Sequence, residues 1–205
     1  MTQIATARVL ITGFGSFPGV PENASAVVVE RLALSIAALP GVRLTWRILP
    51  VDWEVAPRQV AELIADENPQ VILHFGVSRR AEGLVIETLA RNHCHSSVDI
   101  CGSFPLAPKI AADAPDALPS TFPAASIVDR LRAEGFPAQL SEDAGGYLCN
   151  NVLYTSLNRL SGNNSCIGFV HLPVDLSGKN GRLSVDDIVN GGVAILQTCL
   201  EERGF

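Results

Sequence analysis

A cysteine, a histidine and a glutamate are the residues of this chain that are best suited to chemistry. Cys149 follows two glycines and stands where a helical pattern of apolar residues begins, so we expect its thiol in the first turn of a helix. Unpaired backbone N–H groups and the positive end of the helix dipole stabilise a thiolate there, and the thiolate is the form that attacks a carbonyl. The alternative is an inert buried cysteine, since free cysteines are often buried.

A base and an orienting acid are expected on two strands. His171 ends the apolar segment 165–171 and is expected at the carboxyl end of a buried strand, where ligands bind in open α/β sheets. Glu87 interrupts the apolar segment 83–89 and is either exposed or held by a partner, because a lone buried charge is unfavourable. Together, a thiolate, an imidazole and a carboxylate perform acyl transfer: the thiolate attacks, the imidazolium protonates the leaving amine and the carboxylate holds the imidazole.

Hydrophobic periodicity predicts the elements that must position these residues. Strands are predicted at 8–12, 42–49, 71–75, 83–89, 138–141 and 165–171. Helices are predicted from Asn23 or Ser25 to Leu39, at 55–67 and 124–134, from about 148, and at 184–202. Their alternation predicts a single-domain, three-layer α/β/α sandwich over residues 1–205, with a central mixed, largely parallel twisted sheet. His74 is expected to be a hydrogen-bonded core residue, and Trp46 to lie on the covered face of its strand. Residues 93–122 predict a long irregular excursion or a hairpin with mobile parts.

The glycine-rich loop 13–19 follows the first predicted strand and allows two interpretations. It departs from a dinucleotide-binding fingerprint, because Pro18 stands where GxGxxG needs its last glycine. Phe14 and Phe17 suit an apolar ligand better than a pyrophosphate; the alternative is that both rings pack into the core.

Composition excludes several classes of protein. A net charge of −6 and a pI near 5.2 argue against nucleic-acid binding, which needs clustered Lys and Arg. The apolar runs are too short for a membrane span and no basic segment leads into one near the N-terminus, so we expect a soluble, cytoplasmic protein.

The cysteines fit neither a disulfide framework nor a structural zinc site. There are five of them, an odd number without CxxC pairs, and this usage suits a reducing compartment. The segment His93-Cys94-His95 has no second ligand cluster of matching spacing, so we expect no metal site.

Four motifs resemble those of a known family, the pyroglutamyl peptidase I (pyrrolidone-carboxylate peptidase) cysteine peptidases. Residues 12–17 with 22–25 resemble its TGFxPF…NPS opening, and 86–92 resemble the ERxAxN segment that carries its glutamate. Residues 144–150 resemble AGxYxCN, which carries the nucleophile, and 168–173 resemble GFxHxP, which carries the histidine. The motifs occur in the family's order and span nearly the whole chain.

The resemblance implies removal of an N-terminal pyroglutamyl residue from peptides by a cytosolic enzyme that needs no cofactor and is often tetrameric. It implies that Cys149 is the nucleophile, His171 the general base and acid, and Glu87 the orienting carboxylate. The residues that it implies for substrate binding are Phe14, Phe17, Asn23, Val77, Tyr147 and Leu148.

Two departures from the family pattern concern the substrate. Val77 replaces a glutamine that many members carry, and segment 95–100 lacks the family's arginine. Two alternatives stay open: a Cys–His amidohydrolase acting on another small cyclic or N-terminal amide, and a catalytically weak ligand-binding homologue.

Overall fold

The computed structural model describes residues 6–17, 19–20 and 22–204, so the interpretation of Pro18 falls outside the described residues. The described elements, in chain order, are β1 (Ala7–Phe14), α1 (Ala24–Ala37), β2 (Val42–Leu49), α2 (Val55–Glu67), β3 (Val71–Ser78), β4 (Leu84–Glu87), β5 (Leu89–Arg91), β6 (Ala117–Pro119), α3 (Ala124–Ala133), β7 (Ala138–Ser141), α4 (Leu148–Arg159), β8 (Cys166–Pro173) and α5 (Val185–Arg203).

Within the described residues, six strands form one sheet in the order β2-β1-β3-β8-β4-β7. β2, β1, β3 and β8 run parallel, whereas β4 is antiparallel to β8 and parallel to β7. β5 and β6 pair separately as a short antiparallel ribbon. The mixed, largely parallel sheet is therefore confirmed, with its reversal at β4.

Helices cover both faces of this sheet, which confirms the three-layer α/β/α sandwich. α1, α3 and α5 pack together on one face, and α2 and α4 pack together on the other. Along β3, Leu73 and Phe75 enter the first core and Ile72 enters the second. Because side chains alternate along a strand, His74 and Gly76 face the second layer together with Ile72.

Helix starts agree with the prediction, whereas β1, β3 and β8 each extend two or three residues past their predicted ends. Asn23 caps α1 by accepting a hydrogen bond from the Ser25 N–H at 3.1 Å. Ser184 and Asp187 form a capping box at the start of α5, where the last helix is predicted to begin. Within the described residues, no helix combines the length and hydropathy needed to cross a membrane.

Two local predictions need correction. The predicted strand 83–89 is split at Thr88, which hydrogen-bonds to Ser141 through its N–H, and the chain then turns away from the main sheet to pair with β6. Trp46 is 43% exposed rather than covered, because β2 is an edge strand that has a neighbour on one side only.

Of the segment 93–122, residues 93–116 contain no helix or strand, as the irregular pattern predicts, whereas Ala117–Pro119 forms β6 and pairs with β5. Side chains nevertheless hold this segment to the rest of the molecule. The amide of Asn92 donates to the carbonyls of Ala111 and Ala114 and accepts from the Ala111 N–H. Side-chain hydrogen bonds, in place of regular secondary structure, therefore fix the path of this segment.

Candidate active site

Glu87 and His171 meet across the antiparallel ladder between β4 and β8. Glu87 lies opposite Phe169 and Val85 lies opposite His171, so the carboxylate and the imidazole are diagonal neighbours on one face of the sheet. His171 Nδ1 lies 2.7 Å from Glu87 Oε1, which is hydrogen-bonding distance. The expectation that Glu87 is held by a partner is therefore confirmed, and its exposed alternative is wrong.

The direction of β4 explains how deeply the carboxylate is buried. Because β4 runs against β8, its last residue, Glu87, lies two positions toward the amino end of β8 from His171. Glu87 is 1% exposed and His171 is 8% exposed. Glu87 Oε2 finds no hydrogen-bond partner among the described residues, so the carboxylate engages the imidazole through one oxygen.

Cys149 lies in the first turn of α4, as predicted, and is half-buried. Gly145 leads into this helix with φ of +78°, a left-handed conformation that favours glycine. Within the described structure, the side chain of Tyr147 makes no capping hydrogen bond at the helix start. The backbone N–H groups of the first turn are therefore left for the sulfur or for a ligand.

Gly76 makes room for the sulfur beside the histidine. It is paired with His171 in the parallel ladder between β3 and β8. A Cβ atom at position 76 would stand 3.0 Å from Cys149 Sγ and 2.7 Å from Phe169 Cζ. The sulfur thus occupies space that any larger residue at position 76 would fill.

The charge state of His171 depends on both neighbours. Burial opposes its protonation, but hydrogen bonding and charge from Cys149, followed by those from Glu87, outweigh burial and raise the pKa of His171 to about 10. An imidazolium at neutral pH favours a thiolate beside it and can donate a proton to a leaving group.

A small cavity opens beside the sulfur. Its volume is about 70 Å³, and it is lined by Phe14, Phe17, Asn23, Val51, Val77, Tyr147, Leu148 and Cys149. The structure therefore brings all six residues expected to bind substrate to one cavity, next to the expected nucleophile. Val51 was missed, although it closely follows the carboxyl end of β2, where ligands are found in such sheets.

Comparison with known proteins identifies the family. Residues 7–199 match the family model described as pyroglutamyl peptidase. This chain belongs to the pyroglutamyl peptidase family. It is 33% identical to a pyrrolidone-carboxylate peptidase of Oceanobacillus iheyensis, covering 81% of this chain and 83% of that one.

Two further relatives extend the likeness over nearly the full length. The chain is 32% identical to a pyrrolidone-carboxylate peptidase of Thermococcus onnurineus, covering 95% and 99% of the two chains. Its fold is similar to the structure of a pyrrolidone carboxyl peptidase from Thermococcus litoralis, with a TM-score of 0.86, 26% identity, and coverage of 96% and 94%.

In this pyroglutamyl peptidase family member, the irregular segment supports one wall of the cavity. The Tyr147 hydroxyl donates to the Val98 carbonyl at 3.0 Å, and the ring of Tyr147 stands edge-on to Trp53 with centroids 4.9 Å apart. Trp53 is fixed in turn through its indole N–H, which donates to the Ser97 carbonyl, and its backbone N–H, which donates to Asp99. Sequence reasoning missed this support, since no periodic pattern connects residues so far apart.

Asn23 lines the cavity, but its side-chain amide forms hydrogen bonds within the surrounding loop. Its Nδ2 donates to the Gly15 carbonyl at 3.0 Å, and its Oδ1 accepts from the N–H and the hydroxyl of Ser25. The Ser25 hydroxyl also accepts from the Phe14 N–H. Asn23 therefore holds the phenylalanine-bearing loop on α1.

His74 is a core residue, as predicted. Its Nδ1 lies 2.6 Å from the Thr12 hydroxyl and its Nε2 lies 2.9 Å from the Ser156 hydroxyl, so both ring nitrogens are satisfied. Complete burial lowers the pKa of His74 to about 3, which keeps the ring neutral. It serves the packing between β1, β3 and α4.

A much larger cavity of the described chain lies elsewhere. It is an open groove of about 710 Å³ between α2, α4 and residues 105–111. Cys94 is among its lining residues, whereas Glu87, Cys149 and His171 are not. Size alone therefore does not locate the chemistry, and the small cavity beside Cys149 is the candidate site.

Proposed function

We propose that this chain hydrolyses the amide bond that follows an N-terminal pyroglutamyl residue in peptides, with Cys149, His171 and Glu87 as its catalytic triad. The observation that carries the proposal is the 2.7 Å contact between His171 and Glu87, set beside a cysteine that opens into a small apolar cavity. Membership of the pyroglutamyl peptidase family supports the substrate class.

The cavity has the chemistry that a pyroglutamyl ring needs. The ring is a small neutral lactam without a charged amine, so apolar walls and a few backbone hydrogen bonds are sufficient. Phe14, Phe17, Tyr147 and Leu148 supply aromatic and aliphatic walls. Val77 makes the cavity more apolar than a glutamine there would.

The first chemical step forms a thioester. The Cys149 thiolate attacks the pyroglutamyl carbonyl carbon, and the Cys149 backbone N–H is the proposed donor to the oxyanion. The tetrahedral intermediate collapses as the C–N bond breaks, and the His171 imidazolium gives its proton to the leaving amine. Glu87 holds the ring orientation and stabilises its positive charge throughout.

The second step restores the enzyme. Neutral His171 removes a proton from water, whose oxygen attacks the thioester carbonyl, and the C–S bond breaks to release pyroglutamate. The sulfur leaves as a thiolate and the imidazole is protonated again, so the resting pair is regenerated.

The test measures release of a reporter amine from a pyroglutamyl amide, alongside ordinary aminoacyl amides. We expect turnover of the pyroglutamyl substrate only, and a loss of about 10⁴-fold or more in Cys149→Ala. Cys101→Ala, which changes an exposed cysteine, is the matched control and retains activity. Equal turnover by Cys149→Ala would refute the mechanism, and turnover of another small amide alone would favour the alternative substrate.

Iodoacetamide labelling separates catalysis from ligand binding alone. An activated thiolate at Cys149 should be alkylated far faster at neutral pH than the exposed Cys101. Slow labelling at both positions would support a ligand-binding homologue.

The proposal also includes a homo-oligomer, a tetramer on the family resemblance, and a cytoplasmic location. Exposed Phe104 and Leu106 support self-association, since large apolar side chains on a surface favour contacts. The odd cysteine count without CxxC pairs supports a reducing compartment. Light scattering on the purified protein measures the mass of the assembly.

A further inference from the structure

An open cavity of about 580 Å³ is lined by residues that neighbour those of the small cavity beside Cys149. Gly19, Val20, Glu22, Arg79 and Val174 line it. Two connections join the cavities. The backbones of Phe17 and Val20 are hydrogen-bonded to each other in both directions, and Val77 lies two residues before Arg79. Phe17 and Val77 line the small cavity, so we infer that the open cavity lies next to it.

The direction of the strands places the open cavity ahead of the triad. β3 and β8 are parallel, and Gly76 lies opposite His171. Arg79 and Val174 each stand three residues further along, just past the ends of these strands. At roughly 3.3 Å per residue, this is about 10 Å along the strands from Gly76, which lies beside the sulfur, and about three residues of an extended peptide cover that distance.

Arg79 supplies the charge of this cavity that is suited to an anion. The side chain is exposed, and its Nη2 lies 3.8 Å from the position that a Cβ on Gly19 would take, so the guanidinium reaches across to the loop. Glu22 lines the same cavity, yet among the described residues no carboxylate forms an ion pair with Arg79. Its donors are therefore available to a ligand, and a guanidinium presents a planar fork that matches a carboxylate.

We propose that Arg79 is a specificity residue that binds a carboxylate on the second residue after the scissile bond. The inference rests on the proposed function, because it assigns the small cavity to the pyroglutamyl ring. Two sources supply such a carboxylate: the C-terminus of a pyroglutamyl tripeptide, or an Asp or Glu side chain at that position. The enzyme then prefers short or acidic pyroglutamyl peptides to amidated or basic ones.

The test compares peptides that differ only in this group. Pyroglutamyl-Ala-Ala is measured as the free acid and as the C-terminal amide, and pyroglutamyl-Ala-Glu-amide is measured against pyroglutamyl-Ala-Lys-amide. We expect the acid of each pair to have a kcat/KM about 5-fold higher, mostly through KM, because an exposed ion pair contributes modest, uniform binding. The preference should shrink at high salt.

Arg79→Gln should abolish both preferences, whereas the matched variant Arg80→Gln, which changes an adjacent exposed arginine outside the cavity, should keep them. A preference in the free acid pair alone assigns the C-terminus as the ligand, and one in the Glu–Lys pair assigns the side chain. Equal acid-to-amide ratios in wild type and Arg79→Gln would overturn the inference.

A pyroglutamyl aminocoumarin reporter has no carboxylate and separates the two proposals. Wild type, Arg79→Gln and Arg80→Gln should all cleave it at similar rates. Cleavage of the reporter without any carboxylate preference overturns the role of Arg79 alone. No cleavage by wild type overturns the proposed function and this inference with it.

Discussion

His171 Nδ1 and Glu87 Oε1 lie 2.7 Å apart, although the two residues are diagonal and not opposed in the β4–β8 ladder. The contact therefore depends on the register of two antiparallel strands. A shift of one residue would turn the carboxylate to the other face of the sheet. The position of the acid is fixed by backbone pairing, and its side chain needs only to bridge the diagonal.

Glu87→Gln tests the electrostatic part of this contact. The amide keeps the shape of the side chain but removes the charge that stabilises the imidazolium, and it can favour the wrong tautomer of His171. We expect kcat on a pyroglutamyl amide to fall by about 10²–10⁴-fold, which is less than in Cys149→Ala. Circular dichroism should show an unchanged fold, and an unaltered kcat would contradict the role of the carboxylate.

The raised pKa of His171 predicts the alkaline limit of activity. In the proposed mechanism the proton on His171 is the one given to the leaving amine, and neighbouring Cys149 and Glu87 hold the pKa of His171 at about 10 against the opposing effect of burial. The protonated ring is therefore present at neutral pH and is lost as the pH rises through about 10. A pH profile of kcat/KM should fall on that alkaline side.

In Glu87→Gln, the alkaline limit should move to lower pH, because one of the groups that favour the imidazolium is gone. A limit that is the same in both proteins would show that another group controls it. Phosphate and borate buffers of equal ionic strength keep screening constant across the series.

Gly76→Ala tests the space beside the sulfur. Its Cβ would approach Cys149 Sγ to 3.0 Å and Phe169 Cζ to 2.7 Å, so the sulfur or the ring must move. Displacements of about 1 Å at a reacting atom reduce rates by about 10²-fold, and we expect a loss of that order in kcat. Gly15→Ala is the matched control, because its Cβ would meet only ordinary contacts, 3.7 Å from the Leu49 carbonyl oxygen. Similar activity in both variants would show that the space next to Cys149 Sγ is not limiting at position 76.

Asp99→Ala tests the support behind the cavity wall. The buried carboxylate accepts hydrogen bonds from the N–H groups of Trp53, Cys101 and Ser103. Leaving these three N–H donors without an acceptor should lower the free energy of unfolding by about 2–3 kcal/mol, measured by urea titration. The KM should rise, because Trp53, which packs against Tyr147, is no longer held by Asp99. Asp99→Asn should be milder, because an amide oxygen still accepts.

Asp113→Ala is the control for Asp99→Ala, since Asp113 is an exposed acid of the same irregular segment. We expect its stability and KM to match wild type. A drop in stability at both positions would indicate a general loss of negative charge in place of a specific carboxylate.

The sequence predicts the triad because each member leaves a local signal. Glycines before Cys149 mark a helix start, an apolar run ends at His171, and a charge interrupts a buried strand at Glu87. The family motifs then assign the roles. Each of these signals lies within a few residues of sequence, so it can be recognised without knowledge of the surrounding packing.

Other features have no local signal. A four-residue apolar strand has the same pattern in either direction, so the reversal of β4 could not be predicted from it. Asp99 stands in a segment without periodicity and contacts Trp53, 46 residues away. The alternation of apolar and polar residues alone predicts that Trp46 is covered. Its exposure follows from the edge position of β2, which depends on the strand order of the whole sheet.

The strand order places the proposed substrate-binding residues and the proposed acid–base residues on different parts of the sheet. The residues proposed to contact the pyroglutamyl ring come from the β1 and β2 side, from Val77 on β3 and from the start of α4, whereas those proposed for proton transfer lie on β8 and β4. Cys149 Sγ lies between these two groups of residues, beside Gly76 on β3, which pairs with His171 on β8. Substitutions that change the accepted substrate can therefore be sought among the first group alone, without altering the proposed acid–base residues on β8 and β4.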